Sequence, residues 1–205
     1  MNPDGSGVRR VVGLPRGGVA PVPVGKWIFY DRVMPVMTPK VDYIRTDLWK
    51  MRADGSMRQL VARNAHLEAL SPDGRTIAFD EDSCISVRGY DAACYDSLDN
   101  PREIYTIGID GRHRRRLTQN TWYDGHPSWS PDGKLIAYAT ETGMRVMRRD
   151  GSGVRHLIDA DSLAVPDWSP RGDKLLISAI GTRWRVVSPD GDTLDVLAPG
   201  PSGPK

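Results

Sequence analysis

Ser71-Pro72-Asp73-Gly74-Arg75 runs into Thr76-Ile77-Ala78-Phe79, and Ser130-Pro131-Asp132-Gly133-Lys134 runs into Leu135-Ile136-Ala137-Tyr138. The phrase returns as Ser169-Pro170-Arg171-Gly172 before Lys174-Leu175-Leu176-Ile177. A worn copy, Val22-Pro23-Val24-Gly25-Lys26, precedes Trp27-Ile28-Phe29-Tyr30. Each copy has the chemistry of a tight turn. Pro presets φ for the first central position, Asp can bond its own local backbone, and Gly accepts positive φ. Self-similarity at a period of roughly 40 to 60 residues marks a repeat architecture.

A second turn recurs in step: Asp4-Gly5, Asp54-Gly55, Asp110-Gly111, Asp150-Gly151 and Asp190-Gly191 are all hairpin signals. Strand-like runs flank the last four. Leu48–Arg52 leads to Met57–Ala62, Glu103–Gly108 to Arg114–Thr118, Met144–Arg149 to Val154–Ile158, and Arg183–Ser188 to Thr193–Ala198. The unit is thus four short strands, a to d, with the Pro-Asp-Gly turn joining a to b and the Asp-Gly turn joining c to d. No long window carries apolar residues at helical spacing. Four antiparallel strands repeated every 40 or so residues predict an all-β fold, a β-propeller of four-stranded blades.

The phrase Pro127-Ser128-Trp129-Ser130-Pro131-Asp132-Gly133-Lys134-Leu135-Ile136-Ala137-Tyr138 carries a family likeness. With Ile104-Tyr105 and Asp110-Gly111 upstream and Arg116-Leu117-Thr118 between, it resembles the WD-like repeat of the TolB-type propeller. The same repeat occurs in propeller domains of prolyl-oligopeptidase-like and tricorn-like peptidases, so the resemblance implies fold rather than function. Four blades fit at about 18–63, 64–118, 124–158 and 163–198, in a single propeller domain or fragment over 1–205. Val8–Val12 is left as an orphan d strand, so the chain reads as a section of a larger propeller; the rival is a four-bladed ring with an extra strand. The resemblance implies six or more blades. A cut array leaves open blade edges, which favour homo-oligomers.

The 205 residues carry a net charge of +2, too little to argue for nucleic acid. No run of about 18 apolar residues exists, so no membrane span is expected. The N-terminus, Met1-Asn2-Pro3-Asp4-Gly5, has no charged-then-apolar signal region. Cys84 and Cys94 lie ten positions apart in the longest loop. They read as a disulfide, with free thiols as the alternative. A disulfide belongs to an oxidising compartment, which agrees with the resemblance and predicts a periplasmic or extracellular protein. A zinc pair is disfavoured because no further His/Cys ligands stand at suitable spacing.

The turns are formulaic, so the irregular loops at the other end of the strands carry the site expectation. They are Asp31–Asp47 with Tyr43, Asp80–Arg102 with Tyr90 and Tyr95, and Asn120–His126 with Trp122, Tyr123 and Asp124. These tyrosines, Trp122 and Asp124 are the candidate partner-binding residues. Trp129 and Trp168 share one repeat position and read as inter-blade packing. The carboxylates of Asp80–Asp99 lack known calcium-loop spacing and read as a solvated loop, so neither metal nor cofactor is expected. Arg112-His113-Arg114-Arg115-Arg116 reads as edge-strand charge that guards against pairing. No Gly-x-Ser-x-Gly elbow and no phosphate-cradling glycine loop occur. The expectation is therefore a non-catalytic scaffold for protein or peptide partners. The alternatives are the propeller portion of a larger exported peptidase, or a carbohydrate or small-ligand binder.

Overall fold

A computed structural model describes residues 18–36, 43–82, 102–159, 164–178 and 184–197. They form sixteen strands and, among the described residues, no helix. None is therefore long and apolar enough to cross a membrane. The strands make four antiparallel sheets of four, each a simple meander. The first holds β1 (Gly18–Val24), β2 (Trp27–Val36), β3 (Tyr43–Arg52) and β4 (Gln59–Ala62). The second holds β5 (Ala69–Leu70), β6 (Thr76–Asp82), β7 (Arg102–Gly108) and β8 (Arg115–Arg116). The third holds β9 (Asp124–Trp129), β10 (Leu135–Thr140), β11 (Gly143–Arg148) and β12 (Arg155–Asp159). The fourth holds β13 (Val165–Trp168), β14 (Leu175–Ser178), β15 (Trp184–Val187) and β16 (Thr193–Leu197). Contacts divide the chain into two units, Met1–Leu67 with the first sheet and Glu68–Lys205 with the other three.

The Ser-Pro-Asp-Gly phrase works through its serine as much as through its turn residues. Ser130 Oγ accepts the Leu135 N–H at 2.9 Å and donates to Asp132 Oδ1 at 2.7 Å. Ser71 does the same with the Thr76 N–H and Asp73. Both serines are buried. In the third copy Arg171 replaces the aspartate, and Ser169 Oγ donates instead to Asp173 Oδ1 at 2.8 Å. Gly74, Gly133 and Gly172 all sit at positive φ, between 68° and 74°, where a side chain would be strained.

Within the second unit the sheets stack by a repeated rule. The small Ala78 with Ile104 of the second sheet receives Trp129, Ile136, Tyr138 and Met147 of the third. The third sheet then offers Ala137, Ala139, Met144, Val146 and Leu157 to Trp168, Leu175, Ile177 and Val187 of the fourth. Alternation along each strand sends one set of side chains forward and the other back. Trp129 and Trp168 are both buried in these junctions. The Trp168 indole N–H also donates to the Ser128 carbonyl of the preceding sheet at 3.1 Å.

Several expectations need correction. The first b–c loop is shorter than Asp31–Asp47. β2 and β3 continue their ladder out to Val36 opposite Tyr43, because Val33, Ile44 and Thr46 sustain strand geometry through residues that Met34 and Pro35 had marked as loop. The middle loop is shortened too and its first carboxylates are not solvated, since Asp80, Glu81 and Asp82 belong to β6 with Asp80 and Glu81 buried, and the last loop loses Asp124, Gly125 and His126 to β9. The arginine run is only partly an edge guard. Arg114 pairs with the buried Glu81, and Arg116 reaches the buried Glu103 at 2.7 Å, so two of its charges neutralise interior carboxylates. The orphan strand Val8–Val12 lies outside the described residues.

Candidate functional site

The site is built where the end of β6, the start of β7 and the start of β9 meet in the second unit. Asp80 is 1 % exposed. Its Oδ1 accepts Arg102 Nη1 at 3.1 Å, and its Oδ2 accepts the His126 backbone N–H at 3.3 Å. Tyr123 packs beside this pair. Its hydroxyl is pushed up to about 12 by burial first and by the Asp80 charge second. Gly125 makes room for it: a Cβ there would stand 2.6 Å from Tyr123 Cζ and 2.9 Å from Asp80 Oδ2. The Arg102 guanidinium lies 6.0 Å from the Tyr123 ring centroid, and the His126 ring lies 6.3 Å from it.

His126 holds a backbone φ of 52°, uncommon outside glycine. Its Nδ1 stands 3.7 Å from the exposed Glu68. That carboxylate raises the histidine's proton affinity, opposing its partial burial. One ligand atom each from Glu68, Asp80 and His126 falls within 4.8 Å of the others. The donor set fits a cation poorly, because Asp80 already binds a guanidinium and a backbone N–H.

The loop from Thr118 to Tyr123 is braced from below. Glu103, with no exposure, accepts Thr118 Oγ1 at 2.6 Å, the Asn120 N–H at 2.7 Å and Arg116 at 2.7 Å. Asn120 then donates Nδ2 to Asp124 Oδ2 at 2.7 Å and accepts the Trp122 N–H at 2.7 Å. Trp122 rides on this brace with 60 % of its surface exposed. Asp124 is 2 % exposed, and burial pushes its carboxyl up to about 6.

The sequence-predicted residues therefore separate. Trp122, Tyr123 and Asp124 lie together, with Trp122 outward, Tyr123 half-buried and Asp124 inside. Tyr43 opens β3 in the first unit. Tyr90, Tyr95, Cys84 and Cys94 lie outside the described residues. Sequence reading missed Asn120, Arg102, Glu68 and His126. Asn120 had a signal, since an Asn two residues before an aromatic can close an Asx-turn. His126 closes the same Asn120–His126 loop, whereas Glu68, just before β5, and Arg102, at the start of β7, had no signal.

No family model matches the chain. An uncharacterized protein of Agrobacterium fabrum is 27% identical over 175 residues, covering 80% of this chain and 50% of its own length. A solved structure of a putative TolB from Agrobacterium tumefaciens superposes with a TM-score of 0.58 at 22% identity, over 84% of this chain and 62% of that one. The fold is that of a TolB-like β-propeller. Acylaminoacyl peptidase of Pyrococcus horikoshii matches 88% of this chain with a TM-score of 0.61 at 13% identity, over 32% of that protein. The chain thus spans about half the length of that curated relative.

Proposed function

We propose that this TolB-like chain is a non-catalytic scaffold that binds a protein or peptide partner at the Trp122–Tyr123 end of its second unit. The observation that carries the reading is the braced, exposed indole. An exposed tryptophan on a fixed backbone presents a large contact area at little ordering cost. The half-buried Tyr123 ring beside it suits an apolar anchor. Tyr43 of the first unit, and Tyr90 and Tyr95, are proposed separately as partner-contact residues.

The test is peptide-array and glycan-array binding of the wild type, Trp122→Ala and Tyr123→Ala. Loss of a peptide signal by about tenfold or more in Trp122→Ala supports the reading. A signal on the glycan array alone moves the assignment to a carbohydrate binder, and binding unchanged by both variants refutes the site.

A second reading is favoured by the likeness to acylaminoacyl peptidase. On it, the chain is the propeller portion of a larger exported peptidase. A Gly-x-Ser-x-Gly segment in the same open reading frame would support that reading, and a full-length protein without one would exclude it. We further propose a periplasmic or extracellular location and association through blade edges, the latter checked by the molecular mass in solution.

A further inference from the structure

The junction between the second and third sheets differs from the one between the third and fourth at corresponding positions. In the later junction Arg155 Nη1 bonds Asp190 Oδ1 at 2.8 Å and ties the sheets together at their turn ends. Arg115 and Asp150 hold the same repeat positions one sheet earlier, each counted from its Asp-Gly turn. Among the described residues they make no such bond. They line instead a cavity of about 560 Å³, together with Arg75, Arg149, His113 and Trp129.

The other positions diverge in the same direction. Arg149 stands where the fourth sheet has Pro189, and its guanidinium lies 5.9 Å from the Trp129 ring centroid. Arg75 stands where the third sheet has Lys134, whose ammonium is taken up by Asp132 at 3.2 Å. The Trp168 indole N–H has an acceptor, whereas the buried Trp129 indole N–H has none. Asp110 and Asp150 also line the cavity, but each turns an oxygen to its own turn. Asp110 accepts the Arg112 N–H, and Asp150 accepts the N–H and hydroxyl of Ser152. Three guanidiniums, none paired with a carboxylate within 4 Å among the described residues although Asp73 and Asp150 feel their charge, thus share one cavity with the Trp129 side chain.

We infer that this cavity is a binding site for the phosphate group of a small molecule. Guanidinium forks match phosphate oxygens in shape and charge, and the volume suits a small ligand. Arg115 and Arg149 supply the paired donors, Arg75 adds charge, and the Trp129 ring forms a wall. The site lies at the opposite ends of β6 and β7 from Trp122, so it stands independently of the proposed partner site.

Isothermal titration at constant ionic strength tests this, with inorganic phosphate, adenosine 5′-monophosphate and glucose 6-phosphate as probes. The wild type is expected to saturate at one site per chain with at least one probe, and the tightest probe identifies the source of the phosphate. Arg115→Gln and Arg149→Gln should each weaken binding by about tenfold or more. Arg155→Gln removes a charge from the later junction and should leave affinity unchanged. These arginines are at the surface, and thermal melts of each variant confirm folding. Absence of saturation with all three probes overturns the inference. So does an equal loss in Arg155→Gln, which would mark diffuse surface charge.

Discussion

Asp124→Asn isolates the energetic cost of the buried carboxyl behind Trp122. Burial moves that carboxyl from its ordinary value near 3.8 to about 6, although Asn120 and Thr118 hydrogen bonds and the Arg145 charge pull the other way. A raised folded-state value means that the folded protein holds a proton which the unfolded chain has released between about pH 4 and 6. Stability from this group is therefore complete below pH 4 and falls as pH rises to 6. A shift of about two units at about 1.4 kcal/mol each gives about 3 kcal/mol as an upper bound. Asn keeps the size and an acceptor for Asn120 while removing the charge. Urea denaturation at steps from pH 4 to 8 should show wild-type stability dropping across the pH 4–6 window, with Asp124→Asn flat there and more stable at pH 7. The turn aspartates Asp54, Asp73, Asp110, Asp132, Asp150 and Asp173 are all held below their ordinary value, so they act below this window. Identical pH profiles for the two proteins would refute the burial reading of Asp124.

Ser130→Ala removes the acceptor of the Leu135 N–H and should cost about 1–3 kcal/mol by thermal denaturation, whereas Ser152→Ala, at an exposed turn, should cost less than about 0.5 kcal/mol. Gly125→Ala would drive a methyl into Tyr123 and Asp80, and a destabilisation of about 1–3 kcal/mol with a changed tyrosine near-ultraviolet signal is expected. For Cys84 and Cys94, intact mass before and after reductant should differ by two hydrogens; equal masses would remove the support for an oxidising compartment.

The fold was legible because its signals are local. Pro-Asp-Gly and Asp-Gly turns fix hairpins over a handful of residues, and strand lengths follow from the spacing between them. Boundaries failed where a local signal met a long-range ladder. Met34 and Pro35 read as loop, yet pairing with Arg45 and Ile44 holds them in β2. Asp124-Gly125-His126 read as loop for the same reason, yet Asp124 and Gly125 pair with Thr140 and Ala139 of β10. The site was legible along Trp122, Tyr123 and Asp124. Trp122 stood out as the tryptophan that did not follow the repeat. Glu68 and Arg102 come to His126, Tyr123 and Asp80 from segments far apart in sequence, and no spacing encodes that.

Comparing the two units sharpens which of these residues belong to the scaffold. Asp31 lies six residues after Gly25, as Asp80 does after Gly74. Asp31 Oδ1 accepts the Leu67 N–H at 2.8 Å, and Asp80 accepts the N–H of His126 in the corresponding strand entry. Asp47 pairs across from Arg32 as Glu103 does from Glu81. Asp47 accepts the Asn64 N–H at 3.1 Å, and Glu103 accepts that of Asn120. These buried carboxylates therefore recur as devices that tie the end of one sheet to the approach of the next strand. Their burial and charge, which alone would suggest an active centre, are explained by that duty in both units. What remains after the repeated parts are set aside is Trp122, the Tyr123 ring, the His126 imidazole and Glu68. An aromatic surface selects for an apolar side chain. A peptide with Leu or Phe at the anchor position should accordingly bind more tightly than the same peptide with Ser there.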